Sequence, residues 1–539
     1  RNRPAPPTLS ALSPHLPQPP MCPSRPSMPP HRPRTTIPRS WAFSLLAFAP
    51  CLFPAAHAAH ALPSHLPRVH PAPFPASSSP RMVASAVEAP PRYSVALVAL
   101  GCPKNTVDAE VMLGDLQRRG LRISSHARDA DVIIVNTCAF VEDAKRESIR
   151  AVVEAAELKG RRDAPPRALF VTGCLAQRYA EELAAELPEV DAVIGFENYA
   201  EIPDKVLAVL QRVGGPAAPY VSVGSASVPF RAEDERWSLT PKHSAYIRVA
   251  EGCDHSCSFC AIPGFRGSFR SKPFDVLLAE ARRLVEGGVR ELNLIAEDTN
   301  QYGSDWGEAD ARRLPQLLRE LCALPELRWV RLLYCYPSYF SEELIDTIAN
   351  EEKVVKYIDI PLQHLAPTTL VRMRRPSAAS TTALIEKLKA RIPQLVLRTT
   401  FICGFPGETE AEHQELVRKV EQLGFERGGA FAYSQEEGTP AAAFDDQVEE
   451  EVKQDRRDAL VSLFQDHGRA WANAQVGKEL RVIIDSMEGL DAVGRSEYDA
   501  PEIDNLVRIP SMPLAPGTVI RARIVAVDDM DLIGEAVMG

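Results

Sequence analysis

Three cysteines recur at an interval of 36 residues, Cys102, Cys138 and Cys174, and each closes a short apolar run, at 94–100, 131–135 and 168–171. Amphipathic stretches lie between the runs: Val107, Val111, Met112 and Leu116 mark one helical face, and a second helix is predicted at about 141–158. Runs of this length that alternate with helices demand parallel strands, because each helix carries the chain back to the edge where the previous strand began. The carboxyl ends of such strands lie along one edge, where ligands of open α/β sheets collect. The repeat therefore brings three thiols to a common edge, and a three-cysteine centre is expected there. A strand near 192–195 and a helix near 200–212 complete this first folded block, 92–213, and a linker is expected at 214–238.

A second trio is local. Cys253, Cys257 and Cys260 follow C-x3-C-x2-C spacing. Thiolates packed this closely on a loop suit an iron–sulfur cluster with one open iron. Zinc usually takes four protein ligands, and His255, lying between the cysteines, is the one nearby candidate for a fourth. The remaining readings are a trio of buried cysteines and a redox pair of Cys257 and Cys260. From 239 to 470 strands are predicted at 245–250, 291–295, 328–334, 356–360, 396–402 and 428–433, with helices between them, one over 275–286. Six such units predict a partial β/α barrel, and the cysteine loop follows its first strand, at the end where barrels carry their chemistry. The glycine-rich 404–407 lacks the Lys-Ser/Thr of a phosphate loop, which speaks against nucleotide hydrolysis. Cys322, Cys335 and Cys403 have no partner spacing and read as core residues.

Charge divides the chain. Residues 1–87 hold eight arginines and no Asp, Glu or Lys, so the formal net charge of -10 conceals a strongly acidic body. An acidic body is a poor generic binder of phosphate backbones. Residues 1–88 read as a targeting leader: the apolar run 41–54 is too short and too rich in proline for a membrane span and resembles a signal region, and an acid-free Ser/Pro/Arg segment follows it. Delivery to a plastid through a bipartite leader is expected, with mitochondrion or cytoplasm as alternatives. The last block, 471–539, predicts a small antiparallel β-barrel. From residue 472 it carries six basic residues, Lys478, Arg481, Arg495, Arg508, Arg521 and Arg523, against twelve acidic ones. An appended barrel of this kind is usually a substrate-recognition module.

The loop 253–263, the segment 266–273, the run 357–364 ending in Gln363 and His364, and the segment 431–440 together resemble the radical S-adenosylmethionine methylthiotransferases. The resemblance spans 93–539 and follows the order of that family: a three-cysteine Rossmann-like α/β domain, a partial (β/α)6 radical barrel and a C-terminal TRAM-type barrel. Local sequences are most similar to the RimO-type branch, which modifies an aspartate of the twelfth protein of the small ribosomal subunit. Relatives that modify an adenosine in tRNA share the cysteines, so these do not discriminate.

The resemblance implies two [4Fe-4S] clusters, one on Cys253, Cys257 and Cys260 and one on Cys102, Cys138 and Cys174. It further implies reductive cleavage of S-adenosylmethionine to a 5'-deoxyadenosyl radical that takes hydrogen from the aspartate β-carbon. Phe259, Glu297, Asp298, Gln363, Gly404 and Tyr433 are the expected contacts to S-adenosylmethionine, with no catalytic residue beyond the cluster ligands. Glu297 stands where the branch usually has Gln, which singles out that contact. The implied partners are a small-subunit ribosomal protein or ribosomal particle as substrate and an electron donor. Neither stable nucleic-acid binding nor membrane attachment is expected.

Overall fold

The computed structural model describes residues 93–159, 165–212, 218–225, 236–307 and 310–537. The leader 1–88 and parts of the expected linker lie outside them.

The first block is a parallel sheet of β1 (Ser94–Ala99), β2 (Arg122–Ile123), β3 (Val132–Thr137), β4 (Ala168–Thr172), β5 (Ala192–Ile194) and β6 (Tyr220–Ser222), in the order β2-β1-β3-β4-β5-β6. β3 and β4 are buried throughout, and their Val, Ile and Phe content suits strands covered by helices on both faces. Two strands were not legible in the sequence. β2 is only two residues long, and β6 falls in the stretch expected to be a linker, yet Ala192, Val193 and Ile194 pair with Tyr220, Val221 and Ser222. The linker expectation is corrected there, because an edge strand needs only one neighbour and can be short and half-exposed.

The second sheet runs β7 (Ser244–Arg248), β8 (Glu291–Ile295), β9 (Trp329–Leu332), β10 (Val354–Asp359), β11 (Val396–Cys403) and β12 (Arg427–Ala432). Its strands pair in sequence order and all in parallel, so it curves as an open half-barrel. Helices cover its outer face. The long helix Glu450–Asn473 lies over β11 and β12, where the Phe464 ring stacks on Phe401 with centroids 6.0 Å apart. That approach requires glycine beneath it: a Cβ on Gly428 would stand 2.2 Å from the Phe464 ring. The helix also crosses the expected boundary at 470, so the last block begins only after it. Among the described residues, no helix is long and apolar enough to cross a membrane.

The last block is a closed barrel of β13 (Glu479–Glu488), β14 (Asp491–Ser496), β15 (Val507–Ile509), β16 (Val519–Asp528) and β17 (Asp531–Ala536). It is not wholly antiparallel, because β15 and β17 pair in parallel. It docks on the amino-terminal halves of the second sheet. Asp485 receives His243 at 2.8 Å and Arg495 at 2.8 Å. Arg495 also reaches Glu291 at 2.8 Å, which Arg331 approaches at 3.1 Å. Asp504 meets Tyr357 and Arg398, and Asp499 meets Arg427. Three of the twelve acidic residues of this block thus face inward and hold the barrel to the sheet, at the end opposite the cysteine loop.

Candidate functional site

The N-terminal trio is assembled by the ends of three strands. Cys102 caps the helix α1 (Pro103–Arg118), Cys138 follows β3, and Cys174 lies in the short helix after β4. Pro103 suits the first helical position, where no N–H is needed. Gly101, at φ +88, takes a left-handed conformation, and a Cβ there would come within 2.8 Å of the Cys138 sulfur. No residue with a side chain fits both requirements.

Asn105 joins the three ends. Its Nδ2 donates to the carbonyls of Leu100 at 3.0 Å and Thr137 at 2.9 Å, its own carbonyl accepts from Asn136 at 2.8 Å, and its Oδ1 accepts from Arg266 at 2.9 Å and from the Cys174 thiol at 3.6 Å. Ser148 holds the backbone of Cys138 from both sides. Burial pushes the Cys138 thiol up to about 12, with neighbouring Cys174 and Cys102 adding to the effect, and burial pushes Cys174 to about 11.

The second trio hangs from the short ribbon Ala250–Glu251 with Arg270–Ser271. Cys253 N–H donates to the Gly267 carbonyl, and Cys260 N–H donates to that of Cys257. Ser258 fastens the loop to the turn after the helix Pro367–Arg372, donating from its N–H to the Met373 carbonyl at 3.1 Å and from its hydroxyl to the Arg372 carbonyl at 2.7 Å. Burial raises Cys253 and Cys260 to about 12. Cys253 also feels Cys260 and Cys257, so these three thiols are neighbours as well. His255 has another employment: its Nε2 lies 2.8 Å from Asp298, and its ring stacks on Tyr336 with centroids 3.6 Å apart.

Both trios lie at the carboxyl end of the half-barrel, linked through Arg266, which adjoins Cys174, and Glu297, whose charge acts on Cys253 and Cys260. Lys104, two residues after Cys102, donates to the Ala296 carbonyl beyond β8 and covers the Tyr334 ring. Arg266 is fully buried between the trios, with Cys174 at 3.6 Å, Asp108 at 3.2 Å, Glu251 at 3.3 Å and Glu297 at 3.9 Å. On the outer flank Glu436, itself buried, binds Lys145 and Arg178 of the first block.

Of the six expected contacts, Glu297 lies buried beyond β8 with neither carboxylate oxygen hydrogen-bonded and with the Arg266 guanidinium 3.9 Å away. Asp298 has its Oδ2 engaged by His255, and burial raises its carboxyl. Phe259 packs with Met373, Phe405, Tyr433 and Ala441 in one small apolar cluster. Gln363, at φ +73, joins the edge of β11 through a bridge to Phe401. Gly404 N–H donates to Glu408 at 2.7 Å, and a Cβ at this position would stand 2.2 Å from Lys453.

Asn105, Arg266 and Arg375 were missed at the level of sequence, since nothing in their spacing ties them to a cysteine. Cys335 and Cys403 lie in the core as expected, and Cys322 is half-buried.

Among the described residues, no three His, Cys, Asp or Glu side chains close on a point that a single metal ion could occupy. The donors of each trio are thiols alone, and His255 is committed to Asp298. This chemistry fits a soft iron–sulfur centre with one open position. Glu297, beside the second trio and paired at 3.9 Å with Arg266, still has both carboxylate oxygens free of hydrogen bonds, which fits the amino group of a bound S-adenosylmethionine.

Comparison with known proteins agrees with this architecture. Residues 94–195 match the uncharacterized protein family UPF0004, 247–420 the radical SAM superfamily and 476–537 the TRAM domain. The chain is 43% identical over 451 residues to the ribosomal protein uS12 methylthiotransferase RimO of Desulforamulus reducens, covering 82% of this chain and 99% of that one. It is 44% identical to the proteins of the same name from Geotalea uraniireducens and Geobacter sulfurreducens, in each case over 83% of this chain and 99% of the relative.

Proposed function

The chain belongs to the RimO-type radical S-adenosylmethionine methylthiotransferases, and from that membership we propose that it methylthiolates the β-carbon of an aspartate in ribosomal protein uS12. The observation that carries the reading is the pair of all-thiol trios gathered at one end of the half-barrel around Arg266 and Glu297.

When bound, two [4Fe-4S] clusters and S-adenosylmethionine supply one-electron chemistry able to break an unactivated carbon–hydrogen bond and to deliver sulfur and methyl. The protein's part is placement. Cys253, Cys257 and Cys260 hold one centre, and Cys102, Cys138 and Cys174 the other. Glu297 accepts hydrogen bonds from the amino group of S-adenosylmethionine. Asp298 fixes His255 against Tyr336 and so shapes the cysteine loop. The cluster of Phe259, Met373, Phe405, Tyr433 and Ala441 keeps water from one wall of the site. Water exclusion matters because a carbon radical must meet only its target.

A protein substrate also agrees with the electrostatics of the last block. Its twelve acidic residues outnumber its six basic ones, and two of the basic residues, Arg481 and Arg495, are held by carboxylates in part-buried or buried pairs, so little positive charge is left for a phosphate backbone. We further propose a one-electron donor as partner, no stable nucleic-acid or membrane attachment, and delivery to a plastid. That last reading rests on the acid-free leader 1–88.

The test of substrate is mass spectrometry after anaerobic reconstitution, with uS12 and an adenosine-modified tRNA offered together. A methylthio mass increase on the aspartate of uS12 is expected. The same increase on tRNA alone overturns the substrate. Import of the full chain into isolated plastids, with loss of the leader, tests the destination.

A further inference from the structure

Each trio has one arginine against one of its sulfurs, and the two arginines differ in what else they touch. Arg266 stands 3.6 Å from Cys174 and is surrounded by the carboxylates of Asp108, Glu251 and Glu297. Arg375 stands 3.7 Å from the Cys257 sulfur. Its other partners are neutral: Nη2 donates to the Pro361 carbonyl at 2.6 Å, and the guanidinium lies 4.1 Å from the centre of the Tyr336 ring. Among the described residues it has no ion pair with a carboxylate.

The placement is built. Helix Pro367–Arg372 ends in a turn where Arg374 takes φ +56, and the Arg375 N–H closes that turn on the Leu370 carbonyl at 2.9 Å. Ser258, the neighbour of Cys257, is bonded to the same turn through the carbonyls of Arg372 and Met373. Tyr336 is held by its backbone, which exchanges two hydrogen bonds with the Asn300 side chain. His255 covers one face of the Tyr336 ring, at 3.6 Å and nearly coplanar, so the guanidinium 4.1 Å from the same centroid takes the other face. The cysteine loop and the cation are thus clamped together through two independent routes.

We propose that Arg375 is a positioning residue whose uncompensated positive charge raises the reduction potential of the centre on Cys253, Cys257 and Cys260. Reduction adds one electron, and with it one negative charge, to a buried centre. A fixed cation a few ångströms away favours the reduced form, and more strongly than it would in water. Hydrogen bonds and charge at the ligating sulfurs are established levers on iron–sulfur potentials. The proposal rests on the reading of this trio as a cluster site.

The test uses the full chain with Cys102, Cys138 and Cys174 replaced by alanine, so that only the second trio takes up iron. The midpoint is read in a titration with dithionite, a one-electron reductant, by visible absorbance and electron paramagnetic resonance, without S-adenosylmethionine. Arg375→Gln and Arg375→Met are made in parallel, because either can disturb packing, and iron content is measured in each. Both are expected to lower the ratio of reduced to oxidised centre at a fixed poise by about ten-fold, a shift of about 59 mV for one electron. Arg375→Lys is expected to recover most of that shift. An unchanged midpoint in Arg375→Gln and Arg375→Met overturns the proposal, and so does an equal shift in Arg375→Lys, which would assign the effect to shape. Failure of the parent chain to form any iron–sulfur signal would instead overturn the cluster reading itself.

Discussion

The two cysteine trios reach the same end by opposite routes. Cys253, Cys257 and Cys260 belong to one loop, so their proximity is largely covalent, and the fold has only to orient that loop. Cys102, Cys138 and Cys174 belong to three strand ends, and their proximity exists only when β1, β3 and β4 are in register and Asn105 has joined them. A local site is robust to distant damage; a distributed one inherits the stability of its whole sheet.

The largest test of that comparison is chemical. Cys257→Ala is expected to abolish reductive cleavage of S-adenosylmethionine, whereas Cys138→Ala is expected to retain cleavage and lose the methylthiolated product. Chromatography of 5'-deoxyadenosine beside mass spectrometry of uS12 separates the two. Cleavage that survives Cys257→Ala would remove the assigned difference in roles.

Asn105→Ala probes the joint between strand ends. It leaves the buried Thr137 carbonyl without its side-chain donor, at about 1–3 kcal/mol, and the part-buried Leu100 carbonyl at less, since water can reach it. Iron at the first trio is expected to fall while iron at the second remains. Equal loss at both would show the sites to be one cooperative unit. Gly101→Ala should act in the same direction, since φ +88 costs a residue with a Cβ roughly 1–2 kcal/mol before the contact with Cys138 is counted.

Acid examines the opposite end of the half-barrel. Burial alone would raise the Glu291 carboxyl, but Arg495, then Arg331, outweigh it and hold it at about 2, against 4.5 when free. Its folded value is lowered, so its contribution is complete above 4.5 and is lost as pH falls toward 2. The loss amounts to about 3 kcal/mol. Denaturant unfolding of the iron-free chain should show this slope, and Glu291→Gln should remove it. A slope unchanged in Glu291→Gln would mean that other carboxylates carry the acid sensitivity. The smallest effect belongs to Arg508→Ala. Its pair with Glu488 is exposed, so its thermal melt should be indistinguishable from that of the parent. A clear fall in Tm would show the barrel surface to matter more than its buried seam.

How far the sequence could be read follows the same division. The second trio was legible in one loop, and the first in a repeat of three strand ends, because strand length and helical period fix where parallel strands finish. β6 was not legible: three residues at an edge, Tyr220–Ser222, carry too little pattern to be told from a linker. The inward direction of three acids of the last barrel, Asp485, Asp499 and Asp504, was not legible either, since sequence records the sign of a charge but not its direction.

The sequence by itself determined the thiol donors, the parallel architecture that brings them to strand ends and the family to which the chain belongs. These depend on spacing and period, which are properties of neighbours along the chain. Tertiary structure alone decided that Arg266 is surrounded by carboxylates and Arg375 is not, and that the last barrel closes the amino end of the sheet. Arg375 lies 118 residues from Cys257 in the chain and 3.7 Å from it in space. Electrostatic interaction depends on that second distance, which no spacing along the chain encodes.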